Sequence, residues 1–159
     1  MKNIAVIGGG AAGFFAAISV KTHYSNYNVV VFEKSSKFLS KVKISGGGRC
    51  NVTNSTNDVR ILCDAYPRGG KKLKNIFHQF GTQDTRDWFE KRGVPLKVEP
   101  DGRVFPVSNN SQSVIDCLVN EFEIHNILIK FLKSVKSLSK VKSKWIINFN
   151  DSSYSNSFD

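Results

Sequence analysis

Cysteine, proline, methionine and acidic residues are all scarce in this sequence. It has three cysteines, four prolines and one methionine in 159 residues, and 13 acidic residues against 23 Lys and Arg leave a formal net charge of +10. Cys50, Cys63 and Cys117 form no CxxC pair and no zinc-ligand spacing, and their odd number argues against a disulfide framework. We therefore expect reduced thiols, no metal site, a structural role for Cys50 and a cytoplasmic location.

Long apolar runs are also missing. No stretch approaches the roughly 20 apolar residues of a membrane helix, and the N-terminus leads directly into a strand pattern without the apolar core of a signal peptide. We expect no membrane partner. The positive charge favours an anionic partner, but no helix-turn-helix, zinc or RNA-binding motif accompanies it, so we predict no nucleic-acid partner.

The first 34 residues have the pattern of a β-α-β unit. Ile4–Ile7 and Val29–Phe32 are short continuous apolar runs, which are typical of strands buried on both faces. Between them, glycines lead into small and apolar residues from Ala11 to about Val20, which favours a closely packed helix. The two strands would be parallel and joined by a right-handed crossover.

Three glycines of this unit match the GxGxxG fingerprint of dinucleotide-binding folds. Gly8 would permit the tight turn, Gly10 would let the backbone approach a pyrophosphate, and Gly13 would let the helix pack against the strand. Glu33 follows the second strand, where its carboxylate could bind a ribose 2′-OH and disfavour NADP; an ordinary acid at a strand end is the alternative. The predicted nucleotide contacts are Gly8, Gly10, Ala11, Ala12, Gly13, Glu33 and Lys34.

A long polar loop is predicted over Lys34–Asn57, and further helices and strands are predicted after it. A loop of this length in a compact domain is usually functional or disordered. From hydrophobic periodicity and turn signals we predict helices over Lys71–Phe80 and Thr82–Arg92, a hairpin of strands Val94–Glu99 and Arg103–Val107, a helix carrying Val114 to Phe122, and strands over Ile127–Leu132, Val135–Leu138 and Trp145–Phe149.

The loop contains the dodecamer KISGGGRCNVTN, residues 43–54. Its glycines and short polar side chains offer donors and acceptors to a phosphate or ribityl chain, and Arg49 could hold an anionic oxygen; a floppy surface loop is the alternative. The dodecamer, together with Gly93–Glu99 and Gly102–Ser108, resembles the BaiN-like (YhiN-type) bacterial flavoproteins, which are described as aminoacetone-oxidase-family or NAD(P)/FAD-dependent oxidoreductases. The resemblance extends from the N-terminus to about Cys117.

This resemblance implies an α/β fold, a Rossmann-like FAD/NAD(P)-binding domain with a parallel sheet, crossover helices and a β-hairpin or meander. It implies FAD as the cofactor, with the flavin and its ribityl chain against the loop. Val135 would offer backbone to the adenine, and Arg103 would be either an active-site cation or a solvent-exposed hairpin arginine. The implied loop contacts are Lys43, Ser45, Gly46, Gly47, Arg49, Asn51 and Thr53.

Members of that family are longer than this chain. They carry an inserted substrate domain and a C-terminal FAD segment, so we expect residues 1–159 to be a single FAD-binding domain that is incomplete at its C-terminus. The function implied is hydride or electron transfer through FAD, with NAD(P)H or a small organic molecule as partner, although we expect the isolated chain to bind FAD weakly and to lack turnover. The alternatives are a non-catalytic dinucleotide-binding module and an NAD-dependent enzyme; no catalytic residue is assigned.

Overall fold

A computed structural model describes residues 1–155 and 157–159. The chain divides into two compact units, one of residues 1–41 with 118–159 and the other of residues 42–117. In chain order the elements are β1 (Asn3–Ile7), α1 (Ala11–His23), β2 (Asn28–Phe32), α2 (Ser40–Ile44), a 3₁₀ turn (Ser45–Gly48), β3 (Thr53–Asn54), α3 (Val59–Asp64), α4 (Gly70–Gln79), α5 (Thr82–Glu90), β4 (Leu96–Val98), β5 (Arg103–Pro106), α6 (Gln112–Ile124), β6 (Leu128–Lys130), β7 (Val135–Val141) and β8 (Lys144–Phe149).

The first unit contains a three-stranded parallel sheet with the strand order β1-β2-β6. Ile4 pairs with Val29 and Val30 pairs with Leu128, so the predicted parallel β-α-β unit is confirmed. β6 is shorter than its apolar run predicted. The N–H of Ile127 bonds back to Phe122 in α6, and Leu132 has a φ of 57°, so neither end of the run continues the strand.

β1 lies at one edge of this sheet. Its first residue, Asn3, donates its N–H to the Asp159 carboxylate and accepts the Asp159 N–H on its carbonyl, at 2.8 and 2.9 Å. Ile7, at the other end of the strand, is 52% exposed. An apolar edge strand of this kind is a hazard for strand-to-strand aggregation.

Aromatic residues build the core of the first unit. Phe14 of α1 is 1% exposed and stacks on Phe122 of α6 with the ring centroids 3.9 Å apart. A separate buried cluster joins the sheet to the β7–β8 hairpin and contains Phe32, Ile147, Phe149 and Phe158. Aromatic pairs of this kind add about 1 kcal/mol beyond the free energy of area burial.

The hairpin itself extends further than its sequence pattern indicated. β7 reaches Val141, where the prediction ended at Leu138, because the residues that follow Leu138 still pair with β8: Lys140 lies opposite Trp145 and Val141 opposite Lys144. A turn at Lys142, with a φ of 55°, connects the strands. Alternation of side chains is a weak signal where both faces are exposed.

The second unit contains an antiparallel sheet of order β3-β5-β4. The predicted hairpin is confirmed as β4 and β5, which are joined through a turn in which Gly102 has a φ of 81°. The helices predicted from Lys71 and Thr82 are α4 and α5. α3 was not predicted; its cap is Asp58, whose carboxylate accepts the N–H groups of Arg60 and Ile61.

Candidate functional site

The predicted nucleotide contacts fall into two sets, one in each unit. In the first unit, the Gly8–Gly13 turn follows β1 and opens α1. Gly8 has a φ of 105°, which an L side chain rarely adopts, and its N–H bonds to the Phe32 carbonyl at 2.8 Å. A Cβ on Gly13 would overlap the Gly8 carbonyl, whereas one on Gly10 would have no atom within 4 Å. Gly13 is therefore required for packing, and Gly10 leaves open space at the start of the helix.

The N-terminus of α1 provides unpaired donors at this position. The first intrahelical bond runs from the Phe14 N–H to the Gly10 carbonyl at 3.0 Å. The N–H groups of Ala11, Ala12 and Gly13 precede that bond, and the first N–H groups of a helix have no partner within it. Together with the helix dipole, such N–H groups bind phosphate.

Glu33 contacts the glycine turn directly. One carboxylate oxygen accepts the Gly9 N–H at 2.7 Å, and the other accepts the N–H and hydroxyl of Ser35, both at 2.8 Å. Partial burial would raise the pKa of Glu33, but these hydrogen bonds favour the charged form and hold its pKa below the ordinary value. The carboxylate thus stabilises the turn. The sequence predicted a ribose contact or an ordinary strand-end acid for Glu33, and it gave no signal for the bonds to Gly9 and Ser35.

Because the pKa of Glu33 is lower in the folded state, its contribution to stability is complete above the unfolded pKa of about 4.3 and is lost as the pH falls through the folded pKa. We expect Glu33→Gln to lower the free energy of unfolding by about 1 kcal/mol at neutral pH. The difference from wild type should shrink towards pH 3, as measured by urea unfolding. Glu123→Gln, at an exposed carboxylate of the same unit, is the control and should show no such change; a pH-independent difference for Glu33→Gln contradicts the prediction.

The chain after Glu33 returns to the glycine turn. The Leu39 N–H, in a residue with a φ of 51°, bonds to the Gly9 carbonyl at 2.8 Å, and Leu39 itself is 2% exposed. Lys34 is exposed beside Glu33. Val135 packs against the cluster of Phe32 and its neighbours. In the sequence, nothing marked Leu39 as a partner of the turn, because its strained backbone is evident only in three dimensions.

In the second unit, the first half of the dodecamer has short helical structure. α2 and the 3₁₀ turn occupy its first half, where Gly46 and Gly47 have φ values of 56° and 68°. The hydroxyl of Ser45 bonds to the Val42 carbonyl at 2.8 Å, and the Ser111 hydroxyl bonds to the Lys43 carbonyl at the same distance. The absence of helical periodicity in the sequence concealed this short helix, since five residues are too few to show it.

Arg49 has protein partners on two sides. Its Nη1 donates to Glu99 at 2.5 Å, and its guanidinium lies 4.0 Å from the centroid of the Phe105 ring. Arg103 pairs with Asp101 at 2.7 Å and is 47% exposed, so it lies within the hairpin as an ion-paired arginine. The pairing of Arg49 with Glu99, fifty residues away, has no local sequence signal.

The remaining loop residues lie along β5. The side chain of Asn51 accepts the Val104 N–H at 3.3 Å, and Thr53 pairs with Val104 in the antiparallel ladder. Cys50 is buried with a φ of 62°, and burial raises the pKa of its thiol, which disfavours the reactive thiolate. Of the predicted loop residues, Gly46, Arg49, Asn51 and Thr53 therefore lie against the β4–β5 hairpin.

Among the described residues, no group of three His, Cys, Asp or Glu side chains could hold a metal ion. No helix in the same residues is long and apolar enough to cross a membrane.

A family model matches nearly the whole chain. Residues 2–157 match the model described as the HI0933-like protein Rossmann domain. The chain is 30% identical over 136 residues to a 3-dehydro-bile acid delta(4,6)-reductase of Clostridium scindens, covering 86% of this chain and 32% of that protein. It is 28% identical over 145 residues to the ribosomal RNA dihydrouridine synthase of Escherichia coli, covering 91% and 35%. The chain thus spans about a third of the length of these relatives.

Solved structures show the same fold at low identity. The open conformation of a flavocytochrome c3 fumarate reductase aligns with a TM-score of 0.67 at 19% identity, covering 96% of this chain and 31% of that one. A 3-ketosteroid-delta4-(5alpha)-dehydrogenase of Rhodococcus jostii aligns with a TM-score of 0.64 at 13% identity, covering 94% and 42%. The predicted Rossmann-like fold is confirmed by these matches.

Proposed function

The chain belongs to the HI0933-like Rossmann domain family, and from this premise we propose that it binds FAD as the nucleotide-binding part of a flavin-dependent oxidoreductase. One observation carries the proposal: the Gly8–Gly13 turn opens α1 with free space at Gly10, and the Glu33 carboxylate lies against the same turn. Helix N–H groups and a nearby carboxylate are the donor and acceptor set that a pyrophosphate and a ribose require.

The residues of the turn fit FAD in three respects. The N–H groups of Ala11 and Ala12 would bind the pyrophosphate, and Gly10 would admit it without a side chain in the way. Glu33 makes three hydrogen bonds within the protein, and a carboxylate offers about four acceptor sites, so capacity for a ribose hydroxyl remains. When bound, the flavin would accept and donate a hydride, which is chemistry that the chain's own side chains do not supply.

The loop of the second unit carries the other part of the proposal. We assign its residues to the flavin end on the family resemblance, as side chains or backbone that face the ribityl chain or ring: Lys43, Ser45, Gly46, Gly47, Arg49, Asn51 and Thr53. Lys34 and Val135 are proposed to lie near the adenosine end. Because Glu99 already neutralises Arg49, we expect Arg49 to contribute less to anion binding than its charge alone indicates.

The similar proteins share one reaction class by name. One is named a delta(4,6)-reductase and the other a dihydrouridine synthase, and both names describe the reduction of carbon–carbon double bonds. We propose this class for the protein in which the chain's FAD acts, with a reduced nicotinamide or a small organic molecule as hydride donor. A cytoplasmic location is part of the same proposal.

Titration of FAD fluorescence against the purified chain tests the binding. We expect saturable but weak quenching, with FAD lost on gel filtration and without turnover of NAD(P)H. Gly10→Ala should weaken binding at least about tenfold without changing the urea midpoint, because its methyl group enters open space that the pyrophosphate would occupy. Ser19→Ala, in the same helix but distant from the turn, should bind as wild type does.

The outcomes separate the alternatives. Preference for NAD over FAD would indicate an NAD-dependent enzyme. If Gly10→Ala binds FAD as tightly as wild type, the glycine turn does not hold the pyrophosphate and the proposal is wrong.

A further inference from the structure

The tip of the β7–β8 hairpin combines positive charge with an exposed indole. We use the name hairpin tip for residues 136–145, which include most of β7, the turn at Lys142 and the start of β8. Leu138 and Val141 are 51% and 52% exposed. The tip is therefore the exposed end of the hairpin, whereas Ile147 and Phe149 at the other end belong to the buried cluster.

Positive charge at the tip is not neutralised within the described part of the chain. Residues 124–150 contain no Asp or Glu. The ion pairs of this region join Lys133 to Asp151 at 2.7 Å and Lys144 to Asp159 at 2.5 Å. Lys136, Lys140 and Lys142 are exposed, and none of the ion pairs among the described residues includes them. Positive charges concentrated on one hairpin raise the local potential, which attracts an anionic partner.

The indole of Trp145 lies on the same face as one of these lysines. Lys140 and Trp145 are direct cross-strand partners, and residues opposite each other in a ladder share a face. The Lys140 ammonium lies 5.4 Å from the ring centroid of Trp145. Trp145 is 40% exposed. Burial of a large aromatic ring usually stabilises a protein, but this indole stays half exposed. An exposed ring beside lysines can stack on a planar group while the lysines bind its negative charge.

We propose that the hairpin tip binds single-stranded nucleic acid. Lys136, Lys140 and Lys142 contact phosphates of the strand, and Trp145 stacks on a base. The sequence predicted no nucleic-acid partner because it has no recognition motif, but charge and stacking without a motif are how proteins bind single strands independently of sequence. This function goes beyond FAD binding and does not depend on it, since the hairpin tip contains none of the proposed FAD contacts.

Anionic lipid fits the tip less well. Membrane-surface segments present a continuous apolar face that enters the acyl region. Here the exposed apolar residues Leu138 and Val141 are separated by lysine and serine in a short strand. A duplex also fits less well, because its bases are already stacked and cannot receive the indole.

The test measures binding of the full chain to labelled oligo(U) and oligo(dT), each about 20 nucleotides long, by fluorescence anisotropy. The variant K136E/K140E/K142E is compared with K71E/K72E/K74E, which lowers the net charge equally but in the exposed lysines of α4. We expect the hairpin variant to bind at least about tenfold more weakly than the α4 variant. In the wild-type chain, log affinity should fall linearly with log salt concentration. The magnitude of that slope should be smaller by about 2 in the hairpin variant, because each of the three lost phosphate contacts contributes about 0.7 on a single strand.

A second measurement addresses stacking. In a Trp88→Phe background, the fluorescence of Trp145 alone should be quenched by either oligonucleotide. Trp145→Ala should weaken binding at least about fivefold, and Trp145→Phe should restore part of it, with circular dichroism checking the fold of each. Equal losses in the two triple variants overturn the proposal. So does binding to vesicles with anionic lipid, dependent on the hairpin lysines, when neither oligonucleotide binds.

Discussion

Gly13→Ala is expected to lower the free energy of unfolding of the first unit by roughly 3 kcal/mol, because the added methyl group has no space. It would overlap the Gly8 carbonyl, and Val6 lies 3.4 Å away on the other side. The Gly8 carbonyl cannot move without changing the turn, since Gly8 is held by its N–H bond to Phe32. Urea unfolding followed by Trp145 fluorescence, in a Trp88→Phe background, measures the loss.

Gly10→Ala is the matched control for this experiment. The same methyl group is added three residues earlier in the same motif, where no atom lies within 4 Å of it and the φ of −88° suits any residue. We expect the stability of Gly10→Ala to remain within about 0.5 kcal/mol of wild type. Equal losses in the two variants would show that the close contact at Gly13 does not exist in solution.

Gly46→Ala is expected to destabilise the second unit by about 3 kcal/mol. Its φ of 56° costs an L residue about 1 kcal/mol. In addition, its Cβ would lie 2.8 Å from a carbon of the Phe105 ring and 2.9 Å from the backbone nitrogen of Asn51. Both contacts are too short, so the ring and the loop backbone would have to shift. Trp88 fluorescence in a Trp145→Phe background reports this unit.

Gly47→Ala separates the two contributions. Its φ is 68°, close to that of Gly46, but no atom lies within 4 Å of the added carbon. Gly47→Ala should therefore lower the free energy of unfolding only by the cost of the positive φ, about 1 kcal/mol. Gly46→Ala combined with Phe105→Leu should recover part of the steric share. If Gly46→Ala and Gly47→Ala lower the free energy of unfolding equally, the Phe105 ring is not in close contact with Gly46.

These pairs show why identical residues in one motif differ in role. The GxGxxG spacing identified the turn, and the pattern assigned Gly13 to packing and Gly10 to the ligand. The available space at each position supports both assignments. In the GGG run, by contrast, nothing in the sequence distinguishes Gly46 from Gly47. Their difference arises from Phe105, about sixty residues away, whose ring reaches only one of them.

Arg49 gives the same lesson for a charged residue. In the sequence it is an unpaired cation within a polar loop, and a contact with an anionic oxygen was the natural prediction. The structure places Glu99 and the ring of Phe105 beside it. Long-range ion pairs depend on which strands become neighbours, and no local pattern encodes that choice.

The sequence by itself determined the parallel β-α-β unit, the position of the glycine turn, the β4–β5 hairpin and the family, because each depends on short-range periodicity or on a compact motif. Only the tertiary structure decided the partners of Glu33, Leu39 and Arg49, and the clustering of unpaired lysines with Trp145 at the hairpin tip. These features join residues that lie far apart in the chain or on strands with little alternation, and their free energies depend on distance and burial, which exist only after the chain has folded.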